Sequence, residues 1–255
     1  MNLVRTIVVI IFFFLSAGGT LAQGESPIVT DRPGFLFSSL VVSHRVFQTE
    51  LGLPAVTLIE SDDVEIRSTS VVGLVRYGVS ENFELRLGGP IYTETRTDSG
   101  YGDLEVGAKW HLVDNQDGRP SFALIPSVIL PTGEDGFTAD DPVYQLNAMA
   151  EWTLESGWGI SALGGYLNGP SGDDRYNQEI LAFGAGRSLP SPAWSAYGEV
   201  AYVTTDAQGA SDASFAGGGL KYLVSDDVQL DVSFDRGLTG DSPDWLFGLG
   251  LAARF

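Results

Sequence analysis

The chain has no cysteine, so neither a disulfide framework nor a lipoprotein anchor is open to it. Basic residues are scarce: 14 Lys and Arg stand against 33 Asp and Glu, for a formal charge of −19. That balance excludes nucleic acid as a partner, because phosphate contacts need clusters of Lys and Arg. Histidine occurs twice, at His44 and His111. A serine hydrolase in a membrane barrel needs a His beside an activated Ser on the outer face or at a rim, and neither histidine has that setting. Glycine-rich phosphate loops, zinc spacings and Asp-x-Asp-x-Asp-Gly calcium loops are all missing. No cofactor, metal site or catalytic residue is therefore expected, and the chain reads as a non-enzyme.

Long apolar runs are also missing, with one exception. Thr6 to Leu15 is continuously apolar after its first residue, but ten residues fall well short of the ~20 a spanning helix needs. Arg5 precedes this run and the small-residue stretch Ser16 to Ala22 follows it. Residues 1–22 therefore read as a secretory signal peptide cleaved after Ala22.

What is abundant is glycine, with 32 residues, together with nine tyrosines and fourteen phenylalanines, which suits closely packed strands. Two segments show the pattern openly. In Phe83-Glu84-Leu85-Arg86-Leu87-Gly88 the odd positions are apolar, and in Asp103 to Leu112 the even positions are. Side chains alternate faces along a strand, so each segment has one face for an apolar medium and one for water. Twelve such candidates follow one another, roughly at 43–53, 66–78, 82–92, 102–113, 120–131, 143–154, 157–168, 176–188, 193–205, 213–225, 227–236 and 245–255. Most exceed soluble strands, which average about 5–6 residues, and match the ~9–11 that cross a bilayer. Slipping 102–113 by one residue would put Asp103, Glu105, Lys109 and His111 into lipid, at a cost of order ~5–10 kcal/mol. Two segments resist orientation: 121–131 is apolar on both faces, and 157–168 is rich in glycine.

The connections alternate in size. Ser80-Glu81, Glu155-Ser156 and Ser225-Asp226 are short, whereas Thr132 to Pro142 and Arg236 to Asp244 are long and acidic. Short periplasmic turns and long external loops belong to transmembrane barrels. Aromatics agree. Tyr77, Phe83, Trp110, Phe122, Trp152, Trp158, Trp194, Tyr222 and Phe255 share the apolar parity near short turns, and Tyr144, Tyr166, Tyr202 and Trp245 stand near the other ends. Two girdles about 20 Å apart follow from that spacing. The fold class is all-β: a transmembrane antiparallel up-and-down β-barrel of about 12 strands over residues 43–255. An N-terminal periplasmic segment, 23–42, precedes it.

Lumen parity collects Arg76, Glu84, Arg86, Asp103, Glu105, Lys109, Glu151, Glu179, Glu199, Lys221, Asp231, Asp235 and Arg254, along with Glu50. Sorted by the turn each adjoins, the periplasmic half is nearly balanced in sign, while Asp103, Glu105, Glu179 and Asp235 make the outer part acidic. Two readings stay open: an ion-pair network holding a narrow barrel together, or a constriction that selects solutes. The external loops add Glu60, Asp62, Asp63, Glu134, Asp135, Asp140, Asp141, Asp173, Asp174 and others. They form a solvated rim, or else attract cations and bridge through divalent ions to anionic headgroups. Any conductance is expected to favour cations.

Thr30-Asp31-Arg32-Pro33, Arg76 to Arg86 (RYGVSENFELR), Gly102 to Lys109 (GDLEVGAK), Leu130-Pro131-Thr132-Gly133 and the ending Pro243-Asp244-Trp245 to Arg254-Phe255 occur in this order. Together they resemble the outer-membrane family assigned to the MetA pathway of phenol degradation. The resemblance implies a barrel in the outer membrane of a Gram-negative bacterium that passes small molecules, including hydrophobic or aromatic ones. It brings no catalytic residues. Phe255 resembles the terminal aromatic read by the barrel-assembly machinery, an implied transient partner beside membrane lipids, lipopolysaccharide and small solutes. Asp31 and Arg32 suggest an N-terminal segment that ion-pairs and turns back to narrow the periplasmic mouth; a disordered leader is the alternative. The competing functional readings are a closed structural or surface-interaction barrel and, more remotely, a lipid-modifying enzyme.

Overall fold

The structure is a computed structural model that describes residues 26–61, 64–240 and 242–255. Residues 1–25, which include the expected signal segment, and Asp62, Asp63 and Asp241 lie outside the described residues. Strands follow in the order β1 Phe47–Ser61, β2 Val64–Ser80, β3 Phe83–Glu94, β4 Ser99–Gly100, β5 Leu104–Val113, β6 Ser121–Leu130, β7 Val143–Thr153, β8 Trp158–Ser171, β9 Asp174–Ser188, β10 Trp194–Thr205, β11 Ala213–Ser225, β12 Val228–Gly237 and β13 Trp245–Arg254. β4 is a two-residue appendage of β3. The other twelve pair antiparallel in chain order, and β13 pairs with β1, so the sheet closes on itself.

Closure inverts the burial of a soluble protein. On β12, Gln229, Asp231, Ser233 and Asp235 are buried, while Leu230, Val232 and Phe234 are 45%, 41% and 41% exposed. Polar inside and apolar outside is what a barrel in hydrocarbon requires. Paired rings flank the apolar band. Phe47 and Tyr77 (4.4 Å) and Trp194 and Tyr222 (4.6 Å) lie at the short-turn end, and Phe234 and Trp245 (4.9 Å) toward the long-loop end. Arg175, Arg187 and Arg236 lie over Tyr144, Trp158 and Trp245 at 5.3, 5.5 and 4.9 Å, placing cations where aromatics meet water.

Several expectations are corrected. Residues 54–65 and 169–175, read as loops, continue as strand: β1 and β2 run 15 and 17 residues and meet at Ser61–Val64, and β8 and β9 run 14 and 15 and meet at Ser171–Asp174. Both hairpins are longer than the ~9–11 residues that cross a bilayer, and in the first, β-branched residues such as Val56, Thr57 and Ile59 favour the continued ladder. β1 starts at Phe47 rather than residue 43. The preceding chain is held across β2 instead, with Arg45 N–H donating to Gly78 O (2.8 Å) and Gly78 N–H to Val46 O (3.1 Å). Any side chain on Gly78 would meet Ser43 O at 2.0 Å. The two unoriented strands are settled: Ala123 and Ile125 on β6 and Leu163 on β8 are buried, and Trp158, Ile160 and Tyr166 face out.

Candidate functional site

The lumen is organised by residues 28–42, which contact inward-facing side chains of most strands. At the short-turn end Ile28 N–H donates to Asp226 O (2.6 Å), and Arg254 reaches Ser26 O (2.9 Å) while pairing with Asp227. Gln48 and Arg76 donate to Val29 O at 2.8 and 3.1 Å. Further along, Phe35 N–H donates to Glu199 (3.0 Å), Val42 N–H donates to Glu84 (2.7 Å), and Leu40 O accepts from Arg76 (3.0 Å). Ser39 donates to Glu151, and its Oγ lies 2.6 Å from Ser121 Oγ.

At the centre stands Asp31. Its carboxylate accepts from Lys109 Nζ at 2.7 and 2.9 Å, from Arg86 Nη1, and from the Ser38 N–H at 2.9 Å. Arg76 in turn holds Glu84 (2.8 Å) and Glu50 (3.0 Å), and Arg86 also holds Glu84 (2.8 Å). Arg76, Arg86 and Lys109 thus face Asp31, Glu50 and Glu84, all six being buried. Their charges cancel only because the N-terminal segment contributes one carboxylate. Buried charges must be paired, which explains why the cluster is compact. A second tie joins Arg32 to Asp231 at 3.3 Å and to Leu249 O at 3.1 Å.

The segment's next residues are apolar. Phe35, Leu36 and Phe37 pack against buried Met149, Leu163, Ala182, Ala201 and Phe215, with the Phe35 and Phe215 rings 5.1 Å apart. Gly34, at φ +87°, lets the chain turn where a side chain would strike Glu199 Oε1 at 2.0 Å. Beside the segment remains a cavity of about 380 Å³ against β7–β11. Glu151, Tyr197 and Lys221 line it with Gly184, Gly186, Ser188 and Ser195, and it reaches the short-turn end at Gly157. Lys221 Nζ lies 6.0 Å from the Tyr197 ring centre.

Arg76, Glu84, Arg86, Lys109, Glu151, Glu199, Lys221, Asp231 and Asp235 point inward, and all but Lys221 and Glu151 are buried. Glu199 and Asp235 flank Gly217 in register. Glu105 lies half-buried across from Gly88, on the inner side of β5. Arg254 serves the turn at Asp227 rather than a pore. Two residues are corrected. Glu179 sits in register with outward-facing Tyr166 on the outer face, because the inward positions of β9 are the even ones, including Ala182 and Gly184. Asp103 ties down the β6–β7 connection instead of lining the lumen. It accepts from Thr132 N (3.0 Å), Gly133 N (2.8 Å), Thr138 Oγ1 (2.7 Å) and Ala139 N (2.8 Å). Burial would raise its carboxyl, but the donors from Ala139, Thr138, Gly133 and Thr132 outweigh this and hold it below the usual carboxylate range. Among the described residues, no group of three or more His, Cys, Asp or Glu is arranged to hold a metal ion.

A closed antiparallel sheet of twelve spanning strands, apolar outside and charged within, is the architecture of bacterial outer-membrane barrels, and this protein is one of them. Residues 30–255 match the family described as "Putative MetA-pathway of phenol degradation", and the chain belongs to that family. Among solved structures, an outer-membrane channel of the COG4313 group from Pseudomonas putida F1 is similar over 92% of this chain and 100% of its own, with TM-score 0.64 and 13% identity. The KdgM porin aligns with 82% of this chain and 99% of its own (TM-score 0.52, 11% identity). The β domain of the Bordetella autotransporter BrkA aligns with 84% and 100% (TM-score 0.53, 15% identity). At such identities the likeness is one of fold. None of the curated proteins matches this sequence.

Proposed function

We propose that the protein is a non-enzymatic outer-membrane channel for small molecules, in which the segment 28–42 sets the bore. The observation that carries this reading is the 380 Å³ cavity, open toward the short turns and lined by serine, glycine, Lys221 and Glu151. It lies between the barrel wall and residues 29–38 of the segment. A polar, glycine-lined cavity gives a hydrated solute hydrogen-bond partners while leaving room to move. The segment is tied chiefly by ion pairs and hydrogen bonds, so its position can change without unfolding the barrel. Membership of the phenol-degradation family supports aromatic or hydrophobic compounds among the solutes. In this reading the short turns are periplasmic, Phe255 is the signal for the barrel-assembly machinery, and the acidic outer rim meets lipopolysaccharide.

Liposome swelling tests the reading, with a panel of neutral, cationic and aromatic solutes. Swelling with the smallest neutral and cationic members is expected, and deletion of residues 23–38 is expected to widen the range admitted. A second reading, a closed barrel with a structural role, has its own support. The Asp31 cluster and the packed Phe35, Leu36 and Phe37 take up space inside the barrel. Absence of swelling with every solute would favour it.

A further inference from the structure

Four buried side-chain atoms make no hydrogen bond among the described residues: Arg32 Nε, Tyr197 Oη, Glu199 Oε1 and Asp235 Oδ1. Three of them belong to neighbouring inward positions on β10 and β12. Counted from the long loops toward the short turns, Glu199, Gly217 and Asp235 share one row across β10–β12. Tyr197, Gly219 and Ser233 share the next. In both rows the middle strand carries glycine, which leaves the flanking side chains open space between them. They use it. Asp235 Oδ1 lies 2.2 Å from where a side chain on Gly217 would begin, and the Tyr197 hydroxyl 2.8 Å from the same point on Gly219.

Glu199 and Asp235 are 5% and 3% exposed. Glu199 Oε2 accepts from the Phe35 N–H at 3.0 Å, which leaves Oε1 without a donor. The charge acting most strongly on Glu199 is that of Asp235, and these two carboxylates also act most strongly on the Tyr197 hydroxyl. Toward the long loops the row is closed by Phe215, whose ring lies 5.1 Å from that of Phe35. Among the described residues no cation forms a salt bridge with either carboxylate. Arg32 is joined to Asp231 at 3.3 Å, and Lys221 stands two rows nearer the short turns, its Nζ 6.0 Å from the Tyr197 ring centre. Burying one carboxylate without a counter-charge is costly, and burying two side by side is costlier.

We propose that Glu199, Asp235 and Tyr197 form a site for one calcium ion on the inner face of β10–β12. Every donor is oxygen, which selects a hard cation, and two carboxylates balance a charge of two. Mg²⁺ demands a near-octahedral shell and gives up water reluctantly, whereas Ca²⁺ accepts irregular oxygen sets. Two carboxylates and a phenol oxygen leave the rest of the shell to water. Because the other oxygen of Glu199 holds the Phe35 N–H, the ion also fixes the inner segment to the wall. The site does not require the lumen to conduct.

The test uses the full-length protein, purified from membranes in detergent and stripped of divalent ions with a chelator. Equilibrium dialysis against radiolabelled Ca²⁺, with Mg²⁺ present to occupy the acidic loops, is expected to find one site per barrel. Glu199→Gln and Asp235→Asn keep the side-chain shape and should each weaken that site about tenfold or more. Asp140→Asn with Asp141→Asn, in the β6–β7 connection, should leave it unchanged. Hydrogen exchange supplies a second readout, since Ca²⁺ is expected to slow the amides of residues 34–37 in the wild type and in neither inner variant. That comparison with and without Ca²⁺ needs no variant to fold. A wild type without a Ca²⁺ site overturns the proposal, as does binding that survives both inner substitutions or is lost with the loop pair. Ca²⁺ that binds but leaves amides 34–37 unchanged sits on the outer rim and overturns it too.

Discussion

Replacing Asp31 by Ala should release the inner segment. In the wild type three buried cations, Arg76, Arg86 and Lys109, are balanced by Asp31, Glu50 and Glu84. Without Asp31, Lys109 keeps two carbonyl partners, Ser38 O at 2.7 Å and Leu40 O at 3.2 Å, and has Glu84 only at 4.0 Å. Both carbonyls belong to the segment itself, so they leave with it. Removing one partner of a buried ion pair costs about 3–5 kcal/mol. That cost falls on the docked state alone, because once the segment withdraws water can reach Lys109. Even 3 kcal/mol shifts docking by roughly 150-fold. The other anchors, among them Arg32 to Asp231, the Phe35 and Val42 amides to Glu199 and Glu84, Ser39 to Glu151 and the packing of Phe35 to Phe37, are the same before and after the substitution, so the shift applies to the docking equilibrium as a whole. Hydrogen exchange of amides 28–42 should therefore accelerate by about two orders of magnitude while the strands stay protected, and single-channel conductance should rise. Pairing Asp31→Asn with Lys109→Met removes both charges and should restore most of the protection. Unchanged exchange of 28–42 in Asp31→Ala would refute the reasoning.

The other predictions concern separate places. Asp103 is held below the ordinary carboxylate range, so its grip on residues 131–142 should be complete above about pH 4 and fade only as pH falls through the depressed value. Protease sensitivity of that connection should be flat from neutral pH downward and rise only in strong acid, and Asp103→Ala should show the sensitive state throughout. Gly78→Val places a side chain where Ser43 O stands 2.0 Å from the first carbon, so it should lower the folded fraction seen as heat-modifiable mobility in gels. Cation preference follows from the charge of −19. A reversal potential of the anion-selective sign in a salt gradient would contradict it.

Much of this was legible in the chain because a barrel in lipid imposes a strict period of two. The alternation at 83–88 and 103–112 fixes which residues face in, and Arg76, Glu84, Arg86 and Lys109 stand where that period puts them. Reading fails where the period is diluted. In β9, Phe183 alternates with Gly184 and Ala185 with Gly186, so the parity that sends Glu179 outward has little contrast to announce it. Hairpin length is not legible in the sequence, because outside the bilayer nothing in the lipid ends a strand. The lumen's counter-charge was the least visible feature. Asp31 lies far in sequence from Lys109, and no local pattern links them. The one trace was the excess of cations over Glu84 and Glu50 at a single depth, which calls for a third carboxylate from elsewhere.

The central claim is that residues 28–42 sit within the barrel, and a chain free of cysteine allows a direct measurement. Ser39 and Ser121 have their Oγ atoms 2.6 Å apart, and a disulfide needs about 2 Å between sulfurs. In the S39C/S121C protein, oxidised in the intact outer membrane and mapped by mass spectrometry, the account predicts a near-complete 39–121 crosslink. It also predicts that adding Asp31→Ala to the crosslinked protein no longer raises conductance. Two free thiols after oxidation, in a barrel that is otherwise folded, would contradict it.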